Sequence, residues 1–470
     1  MLLRQIFDPA LAQYAYVIGC QRSGEAIVID PERDIDRYRE LAAQEGLRIT
    51  AVAETHIHAD FVSGAREFAS ADPSIKLYLS AEGGPNWQSE WAASLPGLRL
   101  VRDGDVFTVG NIRFEVIHTP GHTPEHIVFL VTDVGGGADE PMALLSGDFL
   151  FVGDVGRPDL LEQAAGLSGT QEQGARQLYH SLRKLAEIPA FVQILPAHGA
   201  GSACGKALGA VPISTFGYET RFNPALKLAL ESGEPEFVDF ILSGQPEPPD
   251  YFADMKRVNK IGPAVLHTVP QPPRMMIDEV TARLDEPKFV VVDTRDRVAF
   301  LQGHLRRSLF APAAKFSDFA GSYLDPENEI VLVVSESSDA DDFVRQLVRI
   351  GFDHIAGVIL ASDLASSSQL VASRAVTFAE VPQLVSNHQV RPLDVRKATE
   401  FAAGHLRGAL NVAHTRLRPR LAEIPGDGTL LVSCQSGMRA TGACAFLERE
   451  GREVICVADT FGHAPRELLA

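Results

Sequence analysis

The run ETHIHADFVSG, Glu54 to Gly64, sets His56, His58 and Asp60 at alternate positions. On an extended segment, residues i, i+2 and i+4 point one way, so these three side chains can face one point. Further along stand His118 and His122 in IHTPGHT, Asp148 in LLSGDFL and His198 in PAHG. Two histidines and one carboxylate with vacant positions suit non-haem Fe(II), where oxygen can bind. Zinc accepts the same donors, with water in a fourth place. The donor types alone leave both metals open. Phe61 follows Asp60 at a position where another polar donor would help hold a second metal, and a phenyl ring cannot.

A second constellation lies in LLVSCQSGMRATGACAFLERE. An apolar run ends at Cys434, and the loop from Cys434 to Arg439 leads into a helical pattern. The backbone N–H groups of such a loop point inward, and the helix N-terminus adds positive potential. Both favour a thiolate, the nucleophilic form of cysteine. Gly437 permits the tight curl, and Arg439 supplies a fixed cation. Such a cradle suits a cysteine persulfide or an oxyanion such as sulfite or thiosulfate.

The first half of the chain alternates short apolar runs with turn signals. AYVIG and EAIVIDP read as strands around QRSG, followed by a helix in DIDRYRELAAQEG with Ile35, Tyr38, Leu41 and Ala42 at helical spacing. ITAVAET, the VFTVG–IRFEVIH hairpin about Gly110-Asn111, EHIVFLVTDV, MALLSGD and FVQILPAHG supply further strands. Four of them run out at the candidate ligands. Strands of one sheet that end on one rim can gather groups more than a hundred residues apart. The stretch from Gly244 to Arg274 is proline-rich and reads as a surface linker.

An internal repeat follows. DTRDRVAFLQGHLRRSL, from Asp293, matches DVRKATEFAAGHLRGAL, from Asp394. Each copy has an apolar run before it and another after it, then a helical pattern. Two α/β units of about 100 residues each are expected. The first copy reads LVVSESSDADD where the second reads LVSCQSGMRA, and no cysteine lies between Cys204 and Cys434. Without a thiolate the first copy cannot carry sulfane sulfur, and a structural or interface role is expected for it.

The bulk numbers narrow the partners. The 470 residues suffice for about three domains. A formal charge of −18 with no basic stretch argues against nucleic acid and anionic membranes, and favours a small ligand. No apolar run reaches transmembrane length, and MLLRQIFDPALAQ meets Asp8 and Pro9 before a signal-peptide core forms. A cytoplasmic location is the expectation, and a homo-oligomer stays open. Five cysteines in such a chain read as reactive or buried thiols rather than disulfides, with Cys20, Cys444 and Cys456 as packing residues.

LLRQIFDP, AIVIDP, THIHAD, TPGHTPEH, SGDFLF, GRPD and PAHG together resemble the persulfide dioxygenases of the metallo-β-lactamase superfamily over about the first 240 residues. The repeats resemble rhodanese modules, so the whole chain resembles persulfide dioxygenase–rhodanese fusion proteins. The resemblance implies an α/β chain: an αββα sandwich over 1–245, a linker over 246–273, a cysteine-free rhodanese-like domain over 274–373 and a rhodanese domain over 374–470. It implies one Fe(II) held by His56, His122 and Asp148, with His58, Asp60 and His198 orienting ligands or bound water. Arg157 becomes a candidate to bind the carboxylate of the substrate thiol, or else a surface ion pair. Cys204 can approach the metal and handle sulfur, or simply pack. The implied activity is O2-dependent oxidation of a low-molecular-weight thiol persulfide, such as glutathione persulfide, to sulfite. Sulfane-sulfur transfer between thiosulfate, sulfite and a thiol through Cys434 accompanies it. Phe61 departs from the superfamily's HxHxDH pattern in its last histidine, which weakens the alternative, a glyoxalase II-like zinc thioester hydrolase. The tail VADTFGHAP lacks the glycine-pair-and-tryptophan ending common in rhodaneses.

Overall fold

The computed structural model describes residues 1–163, 169–245, 247–386 and 390–470. The chain divides into two compact units. One comprises Met1–Pro248 with Phe252–Val269, the other Pro249–Tyr251 with Pro270–Ala470.

In the first unit two six-stranded sheets face each other. One runs in sequence order, β1 (Leu2–Asp8), β2 (Gln13–Cys20), β3 (Glu25–Ile29), β4 (Arg48–Ala53), β5 (Lys76–Ser80) and β6 (Leu98–Val101). The other runs β12-β11-β10-β9-β8-β7, where β7 is Val106–Val109, β8 Ile112–His118, β9 Ile127–Thr132, β10 Ala143–Gly147, β11 Gln193–Pro196 and β12 Ser214–Thr215. The hairpin expected about Gly110-Asn111 joins β7 to β8 in antiparallel register.

Strand alternation explains the layers. On β2, Tyr16 and Ile18 enter the core between the sheets, with Phe114, Val116, Phe129 and Val131 opposite. Ala15 and Val17, on the other face, pack with Tyr38 and Ala42 of helix α1 (Asp36–Gln44) and Phe68 of α2 (Ala65–Ala71). Val128 and Leu144 turn outward from the second sheet to Leu178 and Leu182 of helix Thr170–Lys184. Strands covered on both faces need apolar residues throughout, hence the near-continuous runs in the sequence. Each buried phenylalanine here contributes about 1.5–3 kcal/mol by leaving water. The outcome is the expected αββα sandwich.

The stretch read as a linker contains a ten-residue helix, Phe252–Ile261, within this unit. Residue 246, where the expected linker 246–273 starts, lies outside the described residues. Asn259 on that helix is buried. It donates from Nδ2 to the carbonyl oxygens of His58 (2.9 Å) and Phe61 (2.7 Å), and accepts from the N–H of Ser63 (2.9 Å). The prolines hid a helix that pins the ligand-bearing loop.

In the second unit each repeat has its own parallel sheet. Strand Phe289–Asp293 lies between Leu309–Phe310 and Glu329–Val334 in one, and Val390–Asp394 between Leu410–Asn411 and Thr429–Ser433 in the other. The recurring letters are structural. Arg295 forks onto Asp293 and reaches the carbonyl of Gly303 at 2.7 Å, and Arg396 does the same with Asp394 and Gly404. His304 donates from Nδ1 to the carbonyl of Phe300 and stacks on its ring at 3.9 Å. His405 and Phe401 repeat this at 3.6 Å. Register pairs Asp293 with Val333 and Asp394 with Ser433. Buried Val334 therefore stands where Cys434 stands in the other repeat.

Candidate functional site

His56, His122 and Asp148 come together at the strand ends of the sandwich. Their donor atoms lie within 4.8 Å of one another, and all three side chains are buried. His56 follows β4, His122 lies in the turn after β8, and Asp148 follows β10. His122 Nε2 is 3.5 Å from Asp148 Oδ2, and His56 Nε2 is 4.0 Å from it. Gly147, the last residue of β10, has φ +53°, and a Cβ there would lie 2.6 Å from Thr55 Oγ1 and 2.7 Å from His126 Nε2. The crowding makes glycine the residue for that turn.

Each donor is oriented from behind. Thr55 Oγ1 lies 3.0 Å from His56 Nδ1 and donates to Asp30 Oδ2. His122 Nδ1 donates to the Arg157 carbonyl at 3.0 Å, which leaves Nε2 bare for a metal. His126 Nε2 accepts the Asp148 N–H at 3.1 Å, while its Nδ1 meets Thr119 Oγ1. Asp30, at φ +49°, also accepts the N–H of Thr55 at 2.7 Å, and this bond helps hold a backbone conformation rare outside glycine. The sequence reading missed Asp30, Thr55, His126 and Asn259. The TPGHTPEH motif already contained His126.

Electrostatics favour a cation here. Burial, then the neighbouring imidazoles, holds His56 well below the ordinary histidine range, and burial lowers His122, so both favour the neutral form a metal needs. Among the described residues, none gives a hydrogen bond to either oxygen of Asp148. A buried carboxylate left in that state is costly unless a cation joins it. Two imidazole nitrogens and this carboxylate therefore fit a divalent ion.

His58, Asp60, His198 and Cys204 form two adjoining groups. His58 Nε2 faces Glu54 Oε2 (2.8 Å) and Asp30 Oδ1 (3.2 Å). Burial would lower His58, but the two carboxylates outweigh it and raise it well above the ordinary value. The ring of Phe61 packs on His58 with centroids 4.3 Å apart. Asp60, His198 and Cys204 make a second set of donor atoms within 4.8 Å of one another, and Asp30, Glu54 and His58 a third. His198 Nε2 is 3.0 Å from Asp60 Oδ2 and 3.4 Å from Asp148 Oδ1. The reading that Phe61 strips the second position of donors needs amendment, because Cys204 brings a sulfur to Asp60 and His198. Burial, then the charges of Asp148 and Asp60, pushes the Cys204 thiol up to about 12. His118, also on the rim by sequence, turns instead to the carbonyl of Pro124.

Arg157 is not available to a substrate. Its side chain is buried, its fork closes on Asp159 at 2.8 and 2.7 Å, and Nη1 donates to the carbonyl of Ala203 at 3.0 Å. Desolvation forced its charge onto a near neighbour. The residue instead ties His122, through its carbonyl, to the loop that carries Cys204. Cys20 is buried as expected. Burial would raise its thiol, but the Ser23 hydroxyl and the N–H groups of Asn111, Ser23 and Arg22 bring it down to about 7.

In the second unit Cys434 follows strand Thr429–Ser433, and helix Met438–Arg449 begins four residues later. Gly437, at φ +79°, makes the curl. Cys434 Sγ accepts the N–H of Ala440 at 3.2 Å. The expected thiolate is not favoured at rest: burial raises the thiol and outweighs the N–H groups of Ala440 and Ser436 and the charge of Arg439. Arg439 is fixed, as expected, but its fork is closed by Glu400 at 2.7 and 2.8 Å. Cys444 and Cys456 are buried in helix Met438–Arg449 and strand Val454–Val457.

Both halves of the chain have counterparts among known proteins. The metallo-beta-lactamase superfamily matches residues 8–198, and the rhodanese-like domain matches 276–360 and 377–460. The mitochondrial persulfide dioxygenase of Bos taurus is 31% identical over 233 residues, spanning 49% of this chain and 78% of that protein. Its Homo sapiens counterpart is 30% identical over the same spans. A hydroxyacylglutathione hydrolase of Tolumonas auensis is 36% identical over 188 residues, 39% of this chain and 60% of that protein. The crystal structure of a metallo-beta-lactamase from Staphylococcus aureus subsp. aureus COL is 40% identical, covers 77% of this chain and 99% of that one, and superposes with a TM-score of 0.67.

Proposed function

Because the chain belongs to the persulfide dioxygenase family of the metallo-β-lactamase superfamily and carries rhodanese-like domains, we propose that it oxidises a low-molecular-weight thiol persulfide to sulfite and moves sulfane sulfur through Cys434. The observation that carries the first half is the buried Asp148 carboxylate, without a hydrogen bond, beside the bare Nε2 faces of His56 and His122. His56, His122 and Asp148 would hold one Fe(II), and such an ion would supply the redox chemistry by which O2 oxidises the persulfide sulfur. The overall change is RSSH + O2 + H2O → RSH + SO3²⁻ + 2H⁺.

The residues around the donors hold them in place. Asp30 and Thr55 set the His56 ring, the Arg157 carbonyl sets His122, and His126 sets the backbone of Asp148. Burial would lower His198, but the neighbouring carboxylates of Asp148 and Asp60 raise it well above its ordinary value. The enclosed setting excludes bulk water and protects a labile persulfide.

Cys434 supplies the second half. Its thiolate attacks the outer sulfur of thiosulfate, the S–S bond breaks, and sulfite leaves with the electron pair. Cys434 keeps the sulfur as a persulfide for a thiol acceptor.

Metal analysis with oxygen uptake on glutathione persulfide tests the reading. One iron per chain with persulfide-dependent uptake supports it. The second reading, a two-metal thioester hydrolase, draws on the Asp60–His198–Cys204 set. Two zincs per chain, thioester cleavage and no uptake would establish that reading and sink the first.

A further inference from the structure

We infer that Arg297, in the repeat that lacks a cysteine, supplies the unpaired positive charge that receives a sulfur oxyanion at the Cys434 loop of the other repeat. The inference rests on the sulfurtransferase reading of Cys434.

The loop's own arginine is taken. Arg439 closes both N–H arms on Glu400, so its charge is balanced before any ligand arrives. Arg396 is likewise locked onto Asp394. Arg297 differs. It opens the helix Arg297–Gln302, and the preceding Asp296 spends its carboxylate on the N–H groups of Val298 and Ala299. Nη1 of Arg297 donates to the carbonyl of Ser436 at 3.1 Å, inside the Cys434–Arg439 loop. Among the described residues no carboxylate lies within ion-pair distance of it.

A second geometric fact fixes the contact. A Cβ built on Gly437 would stand 2.1 Å from Arg297 Nη1. The guanidinium therefore lies against the α-carbon of the glycine that curls the loop. The missing side chain at 437 thus serves two ends: it permits φ +79°, and it lets a cation from the neighbouring repeat rest on the loop.

The chemistry needs such a group. Thiosulfate is a dianion and Cys434 attacks as a thiolate, so three negative charges meet. They are conserved as the persulfide anion and the sulfite dianion separate. An arginine has five N–H donors in a planar fork that suits oxyanions. Arg297 spends one N–H on the Ser436 carbonyl, and the rest of its fork can meet the sulfonate oxygens. The repeat without a cysteine then contributes a substrate-binding residue, and its retention beside the active one has a chemical reason.

The test uses the full chain and thiosulfate-to-cyanide sulfur transfer. Arg297→Gln should raise the thiosulfate KM about tenfold with kcat little changed, since a charge-assisted contact to the ground-state anion is lost. Arg297→Lys should recover part of it. Lys397→Gln, which removes an exposed lysine of the Cys434 repeat, should leave KM unchanged. An unaltered KM in Arg297→Gln, or an equal rise in Lys397→Gln, overturns the inference. Absence of transfer by the unmodified chain would instead overturn the sulfurtransferase reading. In that event, alkylation of Cys434 by iodoacetate against iodoacetamide, followed on its own peptide by mass spectrometry, decides the role of Arg297 alone. The anion-to-neutral rate ratio should fall several-fold in Arg297→Gln, as expected for loss of a local cation. A constant ratio rules the role out.

Discussion

Asn259 Nδ2 donates to the carbonyl oxygen of Phe61 at 2.7 Å, across 198 residues of sequence. The same side chain serves His58 and Ser63, so one amide closes three backbone groups of the loop that holds His56, His58 and Asp60.

Asn259→Ala should leave those groups buried and unpaired. Each costs about 1–3 kcal/mol, so a loss of about 3 kcal/mol or more is expected. The only two tryptophans, Trp87 and Trp91, lie in the same unit, and Trp91 donates to the Asn259 carbonyl. Urea titration by tryptophan fluorescence therefore reads this unit selectively. An unshifted midpoint would show that the loop stands without its amide clasp.

Arg157→Gln should behave as a lost internal strut. Removing one partner of a buried, hydrogen-bonded ion pair costs about 3–5 kcal/mol. Stability and metal content should fall together, because the same residue holds the carbonyl that orients His122. The persulfide KM of the metal-loaded fraction should not move. A many-fold higher KM at full metal occupancy would return Arg157 to the role of carboxylate binder.

The two activities should separate by mutation. His122→Ala removes a metal donor and should abolish oxygen uptake while leaving thiosulfate sulfurtransfer. Cys434→Ser should do the reverse. Full sulfurtransfer by Cys434→Ser would place the sulfur-carrying thiol elsewhere in the chain.

Cys434 should be a slow nucleophile at neutral pH. Burial raises its pKa above the ordinary cysteine value of 9.0, so at pH 7 the thiol form dominates more than in a free cysteine. The thiolate appears only as pH rises beyond that value, and the alkylation rate of the resting chain should still be climbing at pH 9. A plateau already reached near pH 7 would contradict this.

Much of this was legible in the chain. Residues that repeat a local rule announce themselves: the apolar runs of strands buried on both faces, the alternate spacing of His56, His58 and Asp60, and Cys434 before a glycine and an arginine. What stayed hidden depends on pairing across long separations. Arg157 was open to two readings, a carboxylate binder or a surface ion pair, because its letter carries no record of its burial against Asp159. Cys204 could approach the metal or simply pack, and only folding sets its sulfur beside Asp60 and His198. Asn259 sits in a stretch whose prolines signal a linker, and only its three backbone partners reveal its purpose. The recurring Asp, Arg, Gly and His of the two repeats announced two like units, and only the fold shows that they build the frame.

That frame has a consequence for how a duplicated module ages. Asp293, Arg295 and the Gly303 carbonyl clasp one repeat as Asp394, Arg396 and the Gly404 carbonyl clasp the other, with no help from a thiol. Shape and reactivity are inherited separately, so a valine can replace the nucleophile and leave the architecture standing.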